Sequence, residues 1–325
     1  WLNPIPALIY VDDLAIKYNY KSENNIINPI VGEFDDPDNQ SQGLLTLNLS
    51  KDGNTIIYGG AGSGKEDFLA TTIYSIIKYH SPLETNIYIL DFGSEVLHCF
   101  KDAPQVGDVV SSSEEEKVRN LFKLLKSIID MRIRILAEYN GDFKLYNSSN
   151  EIPLPTIVVV INNYEAFSEL YEDCNQFLTI ISRDCFKYGI IIIMSASNGN
   201  SVRYKLSQNF KNQIPLQLND EYDYVTIIGK TNGIVPSNIV GRGLVKLDAI
   251  YEFQTASIKP KVEQVDYIKE FCQNLKSESL YVALKIPTLP SSITVDSIKN
   301  KITKKNLFGI GIYKDDLEIA VYNFK

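Results

Sequence analysis

The chain has 325 residues, 44% of them hydrophobic, enough for one large packed domain or a domain with flanking pieces. Its 32 basic and 40 acidic residues give a formal charge of −8, which argues against a surface built to grip duplex nucleic acid. The longest apolar runs, Thr156–Ile161 and Gly189–Ala196, fall far short of the roughly 20 residues that cross a bilayer, and they suit buried parallel strands.

At the amino end the chain starts at Trp1 with neither Met nor a basic signal region, and reads as a fragment whose membrane anchor, if any, lies outside it. Ile5–Leu14, IPALIYVDDL, resembles Leu289–Ile298, LPSSITVDSI, and an extended segment follows each, from Asn28 and from Asn306. Two such matches in the same order predict a repeat of roughly 280 residues, so that the chain is one module plus the opening of the next. The boundaries expected are a strand-forming lead-in over 1–50, a core over 51–283, and a linker with the opening of a further module over 284–325.

Strand and helix then alternate, the sign of a doubly wound, mostly parallel sheet with helices on both faces. Thr55–Tyr58 is a short apolar strand, and Lys65–Lys78 a helix with Phe68, Leu69, Ile73, Ile76 and Ile77 on one side. Ile87–Leu90 is the next strand. Val118–Tyr139 has helical spacing through Leu121, Leu124, Leu125, Ile128, Ile129, Ile133 and Leu136, after SSSEEE at its start. Strand Ile157–Ile161, a helix from about Asp173 to Arg183 and strand Ile190–Met194 follow. Strands near Ile214–Leu218, Gly243–Lys246 and Tyr251–Thr255 are expected to finish the sheet. Cys99, Cys174, Cys185 and Cys272 show no C-x-x-C pairing, and His80 and His98 fall on different elements, so neither a disulfide framework nor a metal site is expected.

Between the strand Thr55–Tyr58 and its helix lies GGAGSGK, the residues Gly59, Gly60, Ala61, Gly62, Ser63, Gly64 and Lys65. A glycine-rich loop between strand and helix lets backbone N–H groups wrap a phosphate that the lysine and the helix start also attract. The next position should carry a hydroxyl for Mg2+, but here it is Glu66. With Asp67 it puts negative charge in the first helical turn, where each acid relieves the helix dipole by roughly 0.3–1 kcal/mol. The acids expected at the end of an apolar strand, one for the metal shell and one to position water, are replaced by Asn162 and Asn163 in TIVVVINNYEAF. An amide cannot take a proton from water and holds Mg2+ weakly. Glu165 is two residues beyond and reads as a solvated acid at a helix start, with a substitute base as the alternative.

In order, GGAGSGK, YILDFGSEVLHCF, PQVGDVV, TIVVVINNYEAF, RDCFKYGIIIIMSAS, LNDEYDYVTIIG and GRGLVKLDAIYEFQTA resemble an FtsK/SpoIIIE-type P-loop ATPase domain. More narrowly they resemble the tandem ATPase modules of the EssC/EccC membrane ATPases of type VII secretion, over nearly the whole chain. The resemblance implies a P-loop fold, ATP and Mg2+ as cofactors, and a middle module, the second of three. It also implies a cytoplasmic position in a cell-membrane protein, with neighbouring ATPase modules, small helical secreted proteins and other membrane components of the secretion system as partners. Gly59–Lys65 match the phosphate loop. Glu66 departs from the metal hydroxyl, and Asn162 and Asn163 match the catalytic acids in position only. Arg183 falls near a family arginine that reaches a neighbouring module's phosphates, with a surface basic residue as the alternative. Three readings result: a module with impaired hydrolysis and a structural or regulatory role, a slow but working ATPase, and a DNA translocase, against which the acidic balance weighs.

Overall fold

The computed structural model describes residues 3–289, 292–299, 302, 307–313 and 318–323. Twelve strands are found among these residues: β1 (Ile30–Asp36), β2 (Ser41–Thr46), β3 (Thr55–Tyr58), β4 (Thr85–Asp91), β5 (Val106–Ser111), β6 (Thr156–Asn162), β7 (Ile190–Ala196), β8 (Asn212–Pro215), β9 (Arg242–Lys246), β10 (Ile250–Thr255), β11 (Leu307–Ile312) and β12 (Ile319–Asn323). Six of them form an all-parallel sheet in the order β5-β4-β6-β7-β3-β8. This is the parallel sheet expected of the alternating pattern, in the P-loop architecture that the resemblance implies.

The continuous apolar runs of β6 and β7 are buried along their whole length because helices cover both faces of the sheet. The period of two sorts their side chains between two cores. Val158, Val160, Ile191 and Ile193 face one core, with Phe68, Leu69 and Ile73 of helix Lys65–Tyr79 and Ile268 and Cys272 of helix Lys261–Glu278. Val159, Ile161, Ile192 and Met194 face the other, with Val118, Leu121 and Leu125 of helix Glu115–Leu136 and Leu178 and Ile181 of helix Glu172–Asp184.

One expectation fails here. Strands β9 and β10 do not finish the parallel sheet; they belong to a separate antiparallel sheet, β2-β1-β10-β9. The reason is chain length. Three residues separate β9 from β10, and a parallel connection needs a crossover of a dozen or more. This second sheet packs on helix Lys65–Tyr79, where the rings of Phe68 and Phe253 stand 6.2 Å apart, edge to face. The sheet therefore backs the helix that begins at Lys65.

At both ends a short helix precedes an antiparallel hairpin: Val11–Lys17 before β1 and β2, Val295–Lys299 before β11 and β12. The stretches compared above are thus partly helical. Asn306, where the second extended segment was drawn to begin, lies outside the described residues. The core's packing also runs past 283. Ile286 is buried in the second core, and Tyr88 Oη donates to the Leu284 carbonyl at 2.8 Å. Among the described residues no helix is long and apolar enough to cross a membrane.

Candidate functional site

The loop from β3 into helix Lys65–Tyr79 is held from behind by its own backbone. Gly59 N–H donates to Ala196 O at 3.0 Å, Gly60 N–H to Gln217 O at 2.8 Å, and Gly241 N–H to Ser63 O at 2.9 Å. Glycine is required at position 64, where φ is +95° and a Cβ would come within 2.8 Å of the Gly241 nitrogen. At Gly62, with φ +75°, an added Cβ would meet nothing within 4 Å, so the loop's outer side is open.

That open side lines a cavity of about 620 Å3 at the carboxyl ends of the parallel strands. Gly60–Asp67, Asn162, Asn163 and Glu165 all line it, so the structure brings the phosphate-loop and strand-end residues together. Lys65 donates to the carbonyls of Gly59 and, at 3.0 Å, Gly60, rather than to a neighbouring carboxylate. Burial lowers the pKa of its amine, while Glu165 and, to a lesser degree, Glu66 pull the other way. A phosphate fits this setting, since the first N–H groups of a helix have no intrahelical acceptor and the lysine is at hand.

Mg2+ in its usual place does not fit. Glu66 accepts a hydrogen bond from Ser94 Oγ at 2.7 Å, and Asp67 pairs with Lys261 at 3.0 Å. Asn162 is buried, its Nδ2 donating to Asp91 Oδ1 at 2.8 Å and its Oδ1 accepting from Ser195 Oγ at 2.9 Å. Asn163 takes φ +65° and caps helix Tyr164–Leu170 through Ala166 N–H, while its Nδ2 donates to Phe92 O at 3.1 Å. Both amides are thus committed to the protein.

Glu165 corrects the reading of a solvated helix-start acid. It turns into the cavity and accepts from Ser197 N–H at 2.6 Å and from Ser197 Oγ. Burial would push its carboxyl up, but hydrogen bonding, first from Ser197, holds it below the ordinary carboxylate range. Arg183, by contrast, does not line the cavity. It is exposed on helix Glu172–Asp184 and paired two-pronged with Asp184, at 2.9 and 2.7 Å.

Sequence reasoning missed the cavity's apolar wall, made by Val96 and Cys99 on one side and Val265 and Ile268 of helix Lys261–Glu278 on the other. Pro260 before a run with Ile268, Cys272 and Leu275 at helical spacing was the available signal for that helix. Among the described residues no group of three or more His, Cys, Asp or Glu is arranged to hold a metal ion.

Comparison with known proteins places these features in context. A family model described as the FtsK/SpoIIIE family matches residues 32–232. The type VII secretion system protein EssC of Staphylococcus aureus strain MRSA252 is 24% identical over 336 residues, spanning 98% of this chain and 23% of that protein. The ESX secretion system protein EccC of Geobacillus thermodenitrificans strain NG80-2 is 29% identical over 315 residues, spanning 95% and 21%. The chain therefore covers less than a quarter of the length of these curated relatives. Among solved structures, EssC ATPases 2 and 3 from Geobacillus thermodenitrificans match with a TM-score of 0.87 at 25% identity, over 99% of this chain and 62% of that one. Thermomonospora curvata EccC ATPases 2 and 3, in complex with a signal sequence peptide, share the fold with a TM-score of 0.79 at 23% identity, over 94% and 58%.

Proposed function

The chain belongs to the FtsK/SpoIIIE family, and on that premise we propose that it is a degenerate ATPase module of a type VII protein secretion motor. Its homology to EssC and EccC supports the placement in secretion, and the short helix and hairpin at each end support a middle module followed by the start of the next. In this reading the module holds nucleotide weakly, hydrolyses little or none, and acts as a structural and regulatory part beside active modules during export of small helical proteins. The motor is membrane-bound and this module faces the cytoplasm.

The observation that carries the reading is the engagement of both strand-end amides: Asn162 with Asp91 and Ser195, Asn163 as a helix cap. Neither is free to hold a metal or position water. Labelled ATP titrated onto the purified chain is expected to show weak binding that Mg2+ does not strengthen. Turnover is expected at least about a hundredfold below the enzyme median of roughly 10 s−1. Ordinary turnover that Lys65→Ala abolishes would sink the proposal. A slow ATPase is the second reading, favoured by the turn of Glu165 into the cavity; it requires residual hydrolysis that falls in Glu165→Gln. Duplex DNA binding with a steep salt dependence would instead revive the translocase.

A further inference from the structure

The cavity holds three carboxylates beside its phosphate loop, and they are not equivalent. Asp67 pairs with the exposed Lys261 at 3.0 Å, and Glu66 is turned to the hydroxyl of Ser94. Glu165 accepts hydrogen bonds from the N–H and hydroxyl of Ser197, both uncharged, and among the described residues no salt bridge engages it. Both bonds come from the residue that follows β7, so the carboxylate is fixed rather than free to swing into solvent. With Lys65 and Lys261 against Glu66, Asp67 and Glu165, the lining carries two positive and three negative charges. An ordinary phosphate site has the opposite balance.

We propose that Glu165 is a built-in competitor for anions: a fixed negative charge lining the cavity of the Gly60–Lys65 loop, which sets how weakly the site holds nucleotide phosphates. It rests on the reading of this cavity as a nucleotide site and names the residue that controls its affinity. The charge persists at neutral pH, because hydrogen bonding, first from Ser197, holds the carboxyl below its ordinary range against the opposing effect of burial. Its influence reaches Lys65 more strongly than that of Glu66 does, although Glu66 is the neighbour in sequence. An incoming phosphate must approach Lys65 against that charge, in a partly enclosed site where screening is weak.

The test is titration of fluorescent mant-ATP and of inorganic tripolyphosphate onto the whole chain and its variants. Glu165→Gln is expected to tighten both by about tenfold or more, since it removes charge and keeps an acceptor for Ser197. Glu165→Asp should leave affinity low, and adding Lys65→Ala to Glu165→Gln should cancel the gain. A merely structural role would move the thermal midpoint but not tighten tripolyphosphate binding. Should Glu165→Gln fail to fold, Glu165→Ala carries the same expectation, because Ser197 is exposed and water can replace its acceptor. Equal or weaker binding by Glu165→Gln, while Glu66→Thr binds, overturns this proposal alone. No saturable binding by any variant, Glu66→Thr included, overturns it together with the reading beneath it.

Discussion

Position 162 shows why an amide can fit this strand end better than an acid would. Asn162 accepts on one side from Ser195 and donates on the other to Asp91, whose other oxygen takes the Leu97 N–H at 2.9 Å. Restoring an acid there would set two carboxylates in contact in a fully buried place, with no donor between them. Asn162→Asp is therefore expected to destabilise the chain by about 2–3 kcal/mol, read by denaturant unfolding, and Asp91→Asn in the same chain to recover most of it. Equal stability of the single variant and wild type would remove the argument. Asn163→Glu loses both the cap and a residue tolerant of φ +65°, at about 1–2 kcal/mol. That amides stand at the end of this apolar strand was legible in the sequence at both positions. The fit to Asp91 was not, because the partners lie 71 positions apart and only the parallel pairing of β4 with β6 brings them together.

At the scale of elements, the amphipathic stripe of helix Glu115–Leu136 was legible but not its buried cation. Ile133 is 45% exposed, while Arg132 lies on the buried stripe and donates to the carbonyls of Pro155, Tyr188 and Gly189. Periodicity assigns faces by hydrophobicity, and it misplaces a residue recruited to satisfy strand-start carbonyls. The entry to β4 is fastened in a similar way. Glu84 accepts from Asn25 N–H at 3.1 Å and Ser81 N–H at 2.9 Å, with His80 beside it at 3.5 Å. Burial would raise its carboxyl, but these partners outweigh it and hold it at about 2, below the ordinary 4.5. With the folded value depressed, Glu84 contributes stability that is full above pH 4.5 and lost as pH falls toward 2. Glu84→Gln is expected to lower stability at neutral pH and to flatten the acid limb of a melting-temperature profile across that window. An unchanged limb would show that the loop from Asn25 is held by something else.

Across the whole molecule, alternation of strand and helix was enough to give the parallel sheet and the place of the cavity. The second sheet was not legible in strand patterns, which do not say which sheet a strand joins; the three-residue connection between β9 and β10 does. Nor does composition reveal how the core ends. Beyond helix Lys261–Glu278 the chain crosses the edge of the parallel sheet at β5 as an extended strap. Ala283 N–H donates to Pro104 O at 2.7 Å, Lys285 Nζ to Val106 O at 3.0 Å and Asn120 Nδ2 to Pro287 O at 2.8 Å, with Ile286 5% exposed. An uncovered edge strand is open to pairing with another chain, so the strap protects the sheet as well as leading out of it. A chain ending at Leu289 is expected to melt like the full chain. One ending at Glu278 should lose about 2–4 kcal/mol, from the buried Ile286 and the strap's hydrogen bonds, and should self-associate on size-exclusion chromatography. If the two truncations melt and elute alike, the strap is only a linker, and the core ends with the helix.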